Sequence, residues 1–333
     1  MTLKREWSSD ILKPMRKQEG GQYVLRAAAI DVGTNSTRFL IADVGEDRGF
    51  QRVFADRRIT RLGEGVHCSG RLNEKAMQRT LETLCLFLSA AQDHGADRIA
   101  GAATSAVRSA SNGDSFVHRI RHETGLELQI LSGEEEAHCM AQGISLLWSD
   151  PPDRWTAVDI GGGSTEIAMA ERNIQREVLS VPLGMVHLTE NLLKHDPPQP
   201  FEVEHCKATS HKVLSKVLSN LATSHESLGV VVGTAGTITT LTAMELGLDP
   251  YDGEKVNGYH LGREAADRWC QKLARMDDEQ RRRIPGMEPG REDVILAGTI
   301  ILCELLRVLG VNEIIVSDYG LLEGIAFMAA QVK

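Results

Sequence analysis

Apolar positions along this chain alternate between a strand period and a helix period, and the whole series occurs twice. Strand-like runs are read at 23–31, 37–44 and 51–59, followed by a long amphipathic helix over 73–94 in which Leu81, Leu84, Leu88 and Ala91 share one face. Strands at 97–103 and 126–131 follow, with a helix at 113–124 between them and another opening at SGEEEA. The series restarts with strands at 155–159, 166–170 and 175–181, then helices at 185–194 and 202–222 and a buried strand at 228–232. Helices at 263–275 and 292–309, a strand at 313–317 and a last helix close the chain. Pro151 and Pro152, flanked by Asp150 and Asp153, mark the break between the halves. The pattern predicts an α/β protein built from two similar domains.

The repeat is sharpest in two segments, AAIDVGTNSTRFLIA at 28–42 and AVDIGGGSTEIAMA at 157–170. Aligned on Asp31 and Asp159, each has an apolar strand ending in Asp, then Gly33 or Gly161, then Ser36 or Ser164, then Thr and a second apolar run. Glycine lets successive backbone N–H groups converge on an anion, and hydroxyls add donors for phosphate oxygens. A carboxylate beside phosphate implies a divalent cation between them; Mg²⁺ uses few carboxylates and completes its shell with water and phosphate oxygens. A DxG turn after a strand is also ordinary turn chemistry, but two matched copies argue for two half-sites serving one ligand.

The 333 residues are enough for two domains with their own cores. A net charge of −9 offers no global positive field, which argues against nonspecific nucleic-acid binding and requires any polyanion to meet local cations or metal. The six cysteines show no CxxC spacing and read as buried reduced thiols, consistent with a cytoplasmic setting. The eleven histidines form no HxxxH or HxH pair, so a zinc site is not indicated. Residues 1–22 carry scattered charge and no apolar core, and read as a flexible extension, neither leader nor anchor. No stretch suits a membrane span.

Acidic residues at 134–136 open a predicted helix. Ser132 with Glu135 three positions on is a capping box, and Glu134 suits the positive end of the helix dipole, so neither needs a further role. Glu136 lies one position beyond the box. Arg108 falls in a strand-to-helix connection, where its planar fork would suit a phosphate. Arg38 occupies the repeat position held by Glu166. The GTAGT turn at 233–237 reads as close strand-on-helix packing or as backbone approach to a nucleotide, with packing favoured. The run Arg281, Arg282 and Arg283, with Arg291, is either a patch for a chain-like polyanion or a solvated face.

Strand, glycine turn, strand, third strand and helix, twice over, resemble the superfamily of acetate and sugar kinases, heat-shock proteins and actin. Within it the segments DVGTNS, ATSAVR, SGEEEA, DIGGGSTE, GTAGT and SDYGLLEG, in that order, resemble the Ppx/GppA phosphatases. The resemblance implies duplicated actin-like ATPase (ribonuclease H-like) domains with mixed five-stranded sheets flanking an interdomain cleft. The domains would be 23–147, joined by a returning C-terminal helix at 318–333, and 148–317. It further implies Glu136 as catalytic base, phosphate binding by Gly33, Asn35, Ser36, Arg108, Gly161, Gly162, Gly163 and Ser164, and Mg²⁺ (or Mn²⁺) on Asp31, Asp159 and Glu166. The implied reaction is attack of water on the terminal phosphate of inorganic polyphosphate, without a covalent intermediate. Guanosine pentaphosphate hydrolysis, a superfamily kinase and a non-catalytic nucleotide-binding protein are the alternatives. Longer family members carry a further C-terminal helical region, so a preference for short or intermediate polyphosphate is expected. A homodimer is compatible with the two-domain core, although no residue pattern establishes it.

Overall fold

The computed structural model describes residues 16–17, 23–45, 49–219 and 228–331. The chain separates into two compact units, Met1–Leu147 with Leu321–Lys333, and Trp148–Gly320.

Unit 1 is built on a mixed sheet of β1 (Arg16–Lys17), β2 (Tyr23–Val32), β3 (Ser36–Gly45), β4 (Phe50–Ile59), β5 (Arg98–Ala103) and β6 (Leu128–Ile130). The order is β4-β3-β2-β5-β6; β2, β3 and β4 form an antiparallel meander, while β5 and β6 run parallel to β2. β2 is apolar almost throughout because helices cover both faces. Ala28, Ile30 and Val32 join Phe39, Leu84, Phe87 and Phe116 on one side. Leu25, Ala27 and Ala29 join Leu40, Ile325 and Phe327 on the other. The rings of Phe39 and Phe87 stack with centroids 5.0 Å apart. The terminal helix Leu321–Gln331 lies against the helix Gly133–Ile144, where a Cβ on Gly324 would come within 1.8 Å of the Cys139 carbonyl oxygen. That packing fixes the helix carrying Glu136.

Unit 2 repeats the plan with β7 (Arg154–Ile160), β8 (Thr165–Glu171), β9 (Ile174–Val181), β10 (Val230–Thr234), β11 (His260–Gly262) and β12 (Glu313–Val316), ordered β11-β12-β10-β7-β8-β9. Its core gathers Val158, Ile160, Leu241, Ile300 and Leu306, with the helix Ile295–Leu309 buried along most of its length.

Each sheet therefore adds one short strand to the expected five. β11 has three residues, too few for a periodic signal, and joins the edge antiparallel to β12. Arg16 and Lys17 of β1 pair with Val24 and Tyr23, so these two positions of the expected flexible extension are strand-paired; the rest of 1–22 lies outside the described residues. The helix expected over 202–222 is Pro200–Leu218, and its expected end lies partly outside them too. Cys139, Cys206, Cys270 and Cys303 are buried, whereas Cys68 and Cys85 are exposed on helical surface, contrary to a uniform expectation of buried thiols. Among the described residues no helix is long and apolar enough to cross a membrane.

Candidate active site

In unit 1 the parallel strands β2, β5 and β6 end along one edge. Val32 is in register with Ala103, and Ala103 with Ile130. Thr104 N donates to Val32 O at 3.2 Å, and Leu131 N to Ala103 O at 3.0 Å. The first glycine loop, the helix Ser105–Ser109 bearing Arg108 and the helix Gly133–Ile144 bearing Glu136 all leave from this edge. Carboxyl ends of parallel strands are the usual ligand side of an open α/β sheet.

The glycine loops are the same hairpin twice. Gly33 N donates to Ser36 O at 3.0 Å and Gly161 N to Ser164 O at 2.9 Å. Both hairpins keep one register, with Val32 opposite Thr37 and Ile160 opposite Thr165. One residue further back, Asp31 faces Arg38, while Asp159 faces Glu166. The rows continue to Arg57 in β4 and Ser180 in β9. Arg38 holds Asp31 Oδ2 through Nε at 2.8 Å and Nη2 at 2.7 Å. In unit 2 the corresponding bond is Ser180 Oγ donating to Glu166 Oε1 at 2.8 Å. Equivalent places thus carry opposite charge, Asp–Arg–Arg against Asp–Glu–Ser.

Two buried polar atoms in the first hairpin have no hydrogen-bond partner, Asp31 Oδ1 and Asn35 Nδ2. An unsatisfied buried polar group costs about 1–3 kcal/mol, so an acceptor and a donor left open in one loop are set for an incoming ligand. Glu136 is also buried, and its Oε2 accepts from Arg108 Nη1 at 3.1 Å; the same nitrogen donates to Leu131 O at 2.6 Å. Arg108 Nε and Nη2 make no hydrogen bond among the described residues. The capping box is present as read: Ser132 Oγ accepts from Glu135 N at 3.2 Å, and Glu135 Oε2 from Ser132 N at 2.8 Å. The box anchors the helix start and leaves the next carboxylate for other work.

The residues present fit Mg²⁺. Asp31 Oδ1 is an orphaned acceptor, and Asp159 with Glu166, 6% and 1% exposed, forms a like-charge pair directly across two strands. Two opposed carboxylates offer oxygen donors of the kind Mg²⁺ takes. Among the described residues no group of three or more His, Cys, Asp or Glu is placed to hold a metal ion.

Gly161, Gly162 and Gly163 lie in a backed loop. Gly161 O accepts from Met185 N at 3.1 Å and Gly162 O from Val186 N at 2.9 Å, while a Cβ on Gly184 would meet Gly162 O at 2.4 Å. The GTAGT turn is built by packing: a Cβ on Gly233 would strike Ile238 and Ile314, and one on Gly236 the Arg291 guanidinium. Between them Ala235 has φ 68°, a left-handed backbone. The arginine run is in part a solvated face, since Arg282 and Arg283 are exposed, while Arg281 and Arg291 are buried. Arg281 is buried and bound to Asp278, Arg282 pairs with Glu292, Arg283 with Glu279, and the buried Arg291 with Glu288.

Ser180 was not legible as a site residue, because a serine near the end of a strand carries no motif; counting the two-residue alternation back from Glu166 across the hairpin would have found it.

Two open α/β units, each with a glycine hairpin and an acidic residue at the end of its first strand, define an actin-like fold of the phosphate-handling kind. The Ppx/GppA phosphatase family profile matches residues 40–331. Exopolyphosphatase 2 of Mycobacterium tuberculosis is 37% identical, over 92% of this chain and 98% of that protein. The guanosine-5'-triphosphate,3'-diphosphate pyrophosphatase of Vibrio vulnificus is 30% identical, over 90% of this chain and 58% of its own length. The crystal structure of the Aquifex aeolicus Ppx/GppA family member, 34% identical, covers 92% of this chain and 97% of that one with a TM-score of 0.76. The chain belongs to the Ppx/GppA phosphatase family.

Proposed function

We propose that this protein is a Mg²⁺-dependent exopolyphosphatase that hydrolyses the terminal phosphoanhydride bond of inorganic polyphosphate. Family membership makes it a phosphoanhydride hydrolase and favours hydrolysis over the kinase and nucleotide-sensor alternatives. The observation that carries the mechanism is Glu136, a buried carboxylate oriented by Arg108 at the same sheet edge as the first glycine loop.

Glu136 would accept a proton from the attacking water as its oxygen bonds to the terminal phosphorus and the bridging P–O bond breaks. In a loose transition state, placing that water matters more than the strength of the base, and the Arg108 contact fixes the carboxylate for it. Asn35 Nδ2, Ser36, the free nitrogens of Arg108 and the backbone of Gly33 would bind phosphate oxygens; Gly161, Gly162, Gly163 and Ser164 offer the same groups in unit 2. Mg²⁺, held by Asp159 and Glu166 or by Asp31, would neutralise charge on the phosphates. Ser180 would orient Glu166.

Support for polyphosphate comes from the Mycobacterium relative, which this chain matches over almost its whole length. Guanosine pentaphosphate is the second reading, supported by the Vibrio relative. Phosphate release from polyphosphate, guanosine pentaphosphate and ATP, with and without Mg²⁺, tests both. The proposal expects polyphosphate to be the best substrate; preference for guanosine pentaphosphate replaces it, and phosphorylation of an acceptor by ATP rejects hydrolysis.

A further inference from the structure

Cations are unevenly compensated over unit 2. Each arginine of the 281–283 run, and Arg291, is held by a carboxylate. One helix earlier, on Arg263–Leu273 and the turn after it, Arg268, Gln271, Lys272, Arg275 and Met276 line an open surface cavity of about 360 Å³. No carboxylate is among these lining residues. Arg268, Lys272 and Arg275 follow one another at i, i+4 and i+7, so a single face presents three positive charges over about 10 Å along the axis.

Two of the three are tethered. Arg268 Nη2 donates to Glu245 Oε1 at 3.0 Å and Trp269 Nε1 to Glu245 Oε2 at 2.6 Å, so one carboxylate fixes both the arginine and the ring beside it. Lys272 Nζ lies 4.4 Å from the centroid of that ring. Glu245 offsets the charge of Arg268, but the partner of Lys272 is neutral, and the exposed Arg275 guanidinium makes no hydrogen bond or ion pair among the described residues. The negative end of a helix dipole explains a basic residue in the last turn, which is Lys272. It does not explain Arg275 beyond the helix end, or the tethering of Arg268 a turn earlier.

A row of cations with no carboxylate between them suits a linear anion with closely spaced charges. The arginine fork takes paired phosphate oxygens and the lysine acts as a point charge. Single-stranded nucleic acid would also need an aromatic face on which to stack its bases. Trp269 is buried and Lys272 covers its ring, so that face is not offered. In a chain of net charge −9, two uncompensated cations in one cavity are a local exception.

We propose that the cavity of Arg268, Lys272 and Arg275 is a docking site for linear inorganic polyphosphate, made by none of the residues assigned to hydrolysis, that raises affinity for long chains. Its ligand rests on the phosphoanhydride reading above. Lys272→Gln/Arg275→Gln removes the two uncompensated charges, and Lys212→Gln/Lys216→Gln, at exposed positions of the helix Pro200–Leu218, makes the same change in net charge elsewhere in unit 2. The readouts are calorimetric binding of long-chain polyphosphate, kcat and KM on long-chain polyphosphate and on tripolyphosphate, and melting temperature. The cavity variant is expected to bind long chains about 3- to 10-fold more weakly and raise their KM by the same factor, with a shallower salt dependence. Its kcat, its KM for tripolyphosphate and its melting temperature should stay at wild-type values, as should long-chain binding by the control pair. Wild-type affinity for long chains in the cavity variant overturns the proposal. An equal loss in the control pair, or an equal rise in the KM for tripolyphosphate, overturns it too, as does a single-stranded oligonucleotide that displaces polyphosphate as readily as polyphosphate itself. Wild-type protein that binds long chains through the cavity yet releases no phosphate rejects the hydrolytic reading alone.

Discussion

The two glycine hairpins share a register, a turn hydrogen bond and a glycine behind the loop, yet the row of side chains next to the turn is Asp31, Arg38, Arg57 in one and Asp159, Glu166, Ser180 in the other. A duplicated backbone has acquired two electrostatic uses. In unit 1 the aspartate is neutralised by its neighbour, with one oxygen left open. In unit 2 two carboxylates, Asp159 and Glu166, take opposed positions, and Ser180 donates to Glu166. Duplication supplies the scaffold, and two positions of the row, Arg38 against Glu166 and Arg57 against Ser180, set the halves apart.

The strongest way to break the comparison is to fill the walls behind the two loops, where Gly63 backs Thr34 and Gly184 backs Gly162. Alanine at Gly184 would meet backbone, which cannot move without displacing the Gly162 turn, whereas alanine at Gly63 meets the side chain of Thr34. Gly184→Ala is expected to cost about 3 kcal/mol and Gly63→Ala about 1 kcal/mol in denaturant unfolding. Equal losses would mean the two walls are equally rigid.

Charge separates the halves next. Arg38→Ala strands a buried carboxylate and is expected to cost about 2 kcal/mol, discounted because Arg38 is a quarter exposed; adding Asp31→Asn should recover most of it. Glu166→Gln in metal-free buffer removes a like charge while keeping an acceptor for Ser180, and its melting temperature should stay level or rise. Opposite signs in the two halves support the division; a loss in both contradicts it. Ser180→Ala should raise the Mg²⁺ concentration for half-maximal activity about tenfold with little effect on folding.

The smallest effect concerns pH. Burial opposes ionisation of Glu202, but hydrogen bonds from His195 and from the backbone N–H groups of Gln199 and Lys194 outweigh it and bring the carboxyl down to about 2. A depressed folded pKa stabilises above the unfolded value, near 4.5, and the contribution is lost as pH falls from there toward 2. The melting-temperature gap between wild type and Glu202→Gln should therefore close across that window. A constant gap would show that the contacts act without the charge.

Sequence periodicity was enough for the long elements and the repeat, because strands buried on both faces and helices with one apolar stripe leave strong signals. It was blind to β11, whose three residues have no period. Arg281 and Arg291 looked available because a linear run does not show that Glu292, Glu288 and Asp278 fold back onto it. The paired glycine hairpins were legible because Asp, Gly and Ser recur at fixed offsets. Ser180 depends on cross-strand register, which only coordinates supply.

The central claim is that Glu136 turns a duplicated phosphate loop into a hydrolase. It is tested most directly by releasing phosphate from polyphosphate of defined length with wild type and Glu136→Gln side by side in Mg²⁺, while tripolyphosphate binding is measured on both. The account predicts that the variant binds as wild type does and turns over about 10²- to 10⁴-fold more slowly. A Glu136→Gln protein that binds and hydrolyses at the wild-type rate would contradict it.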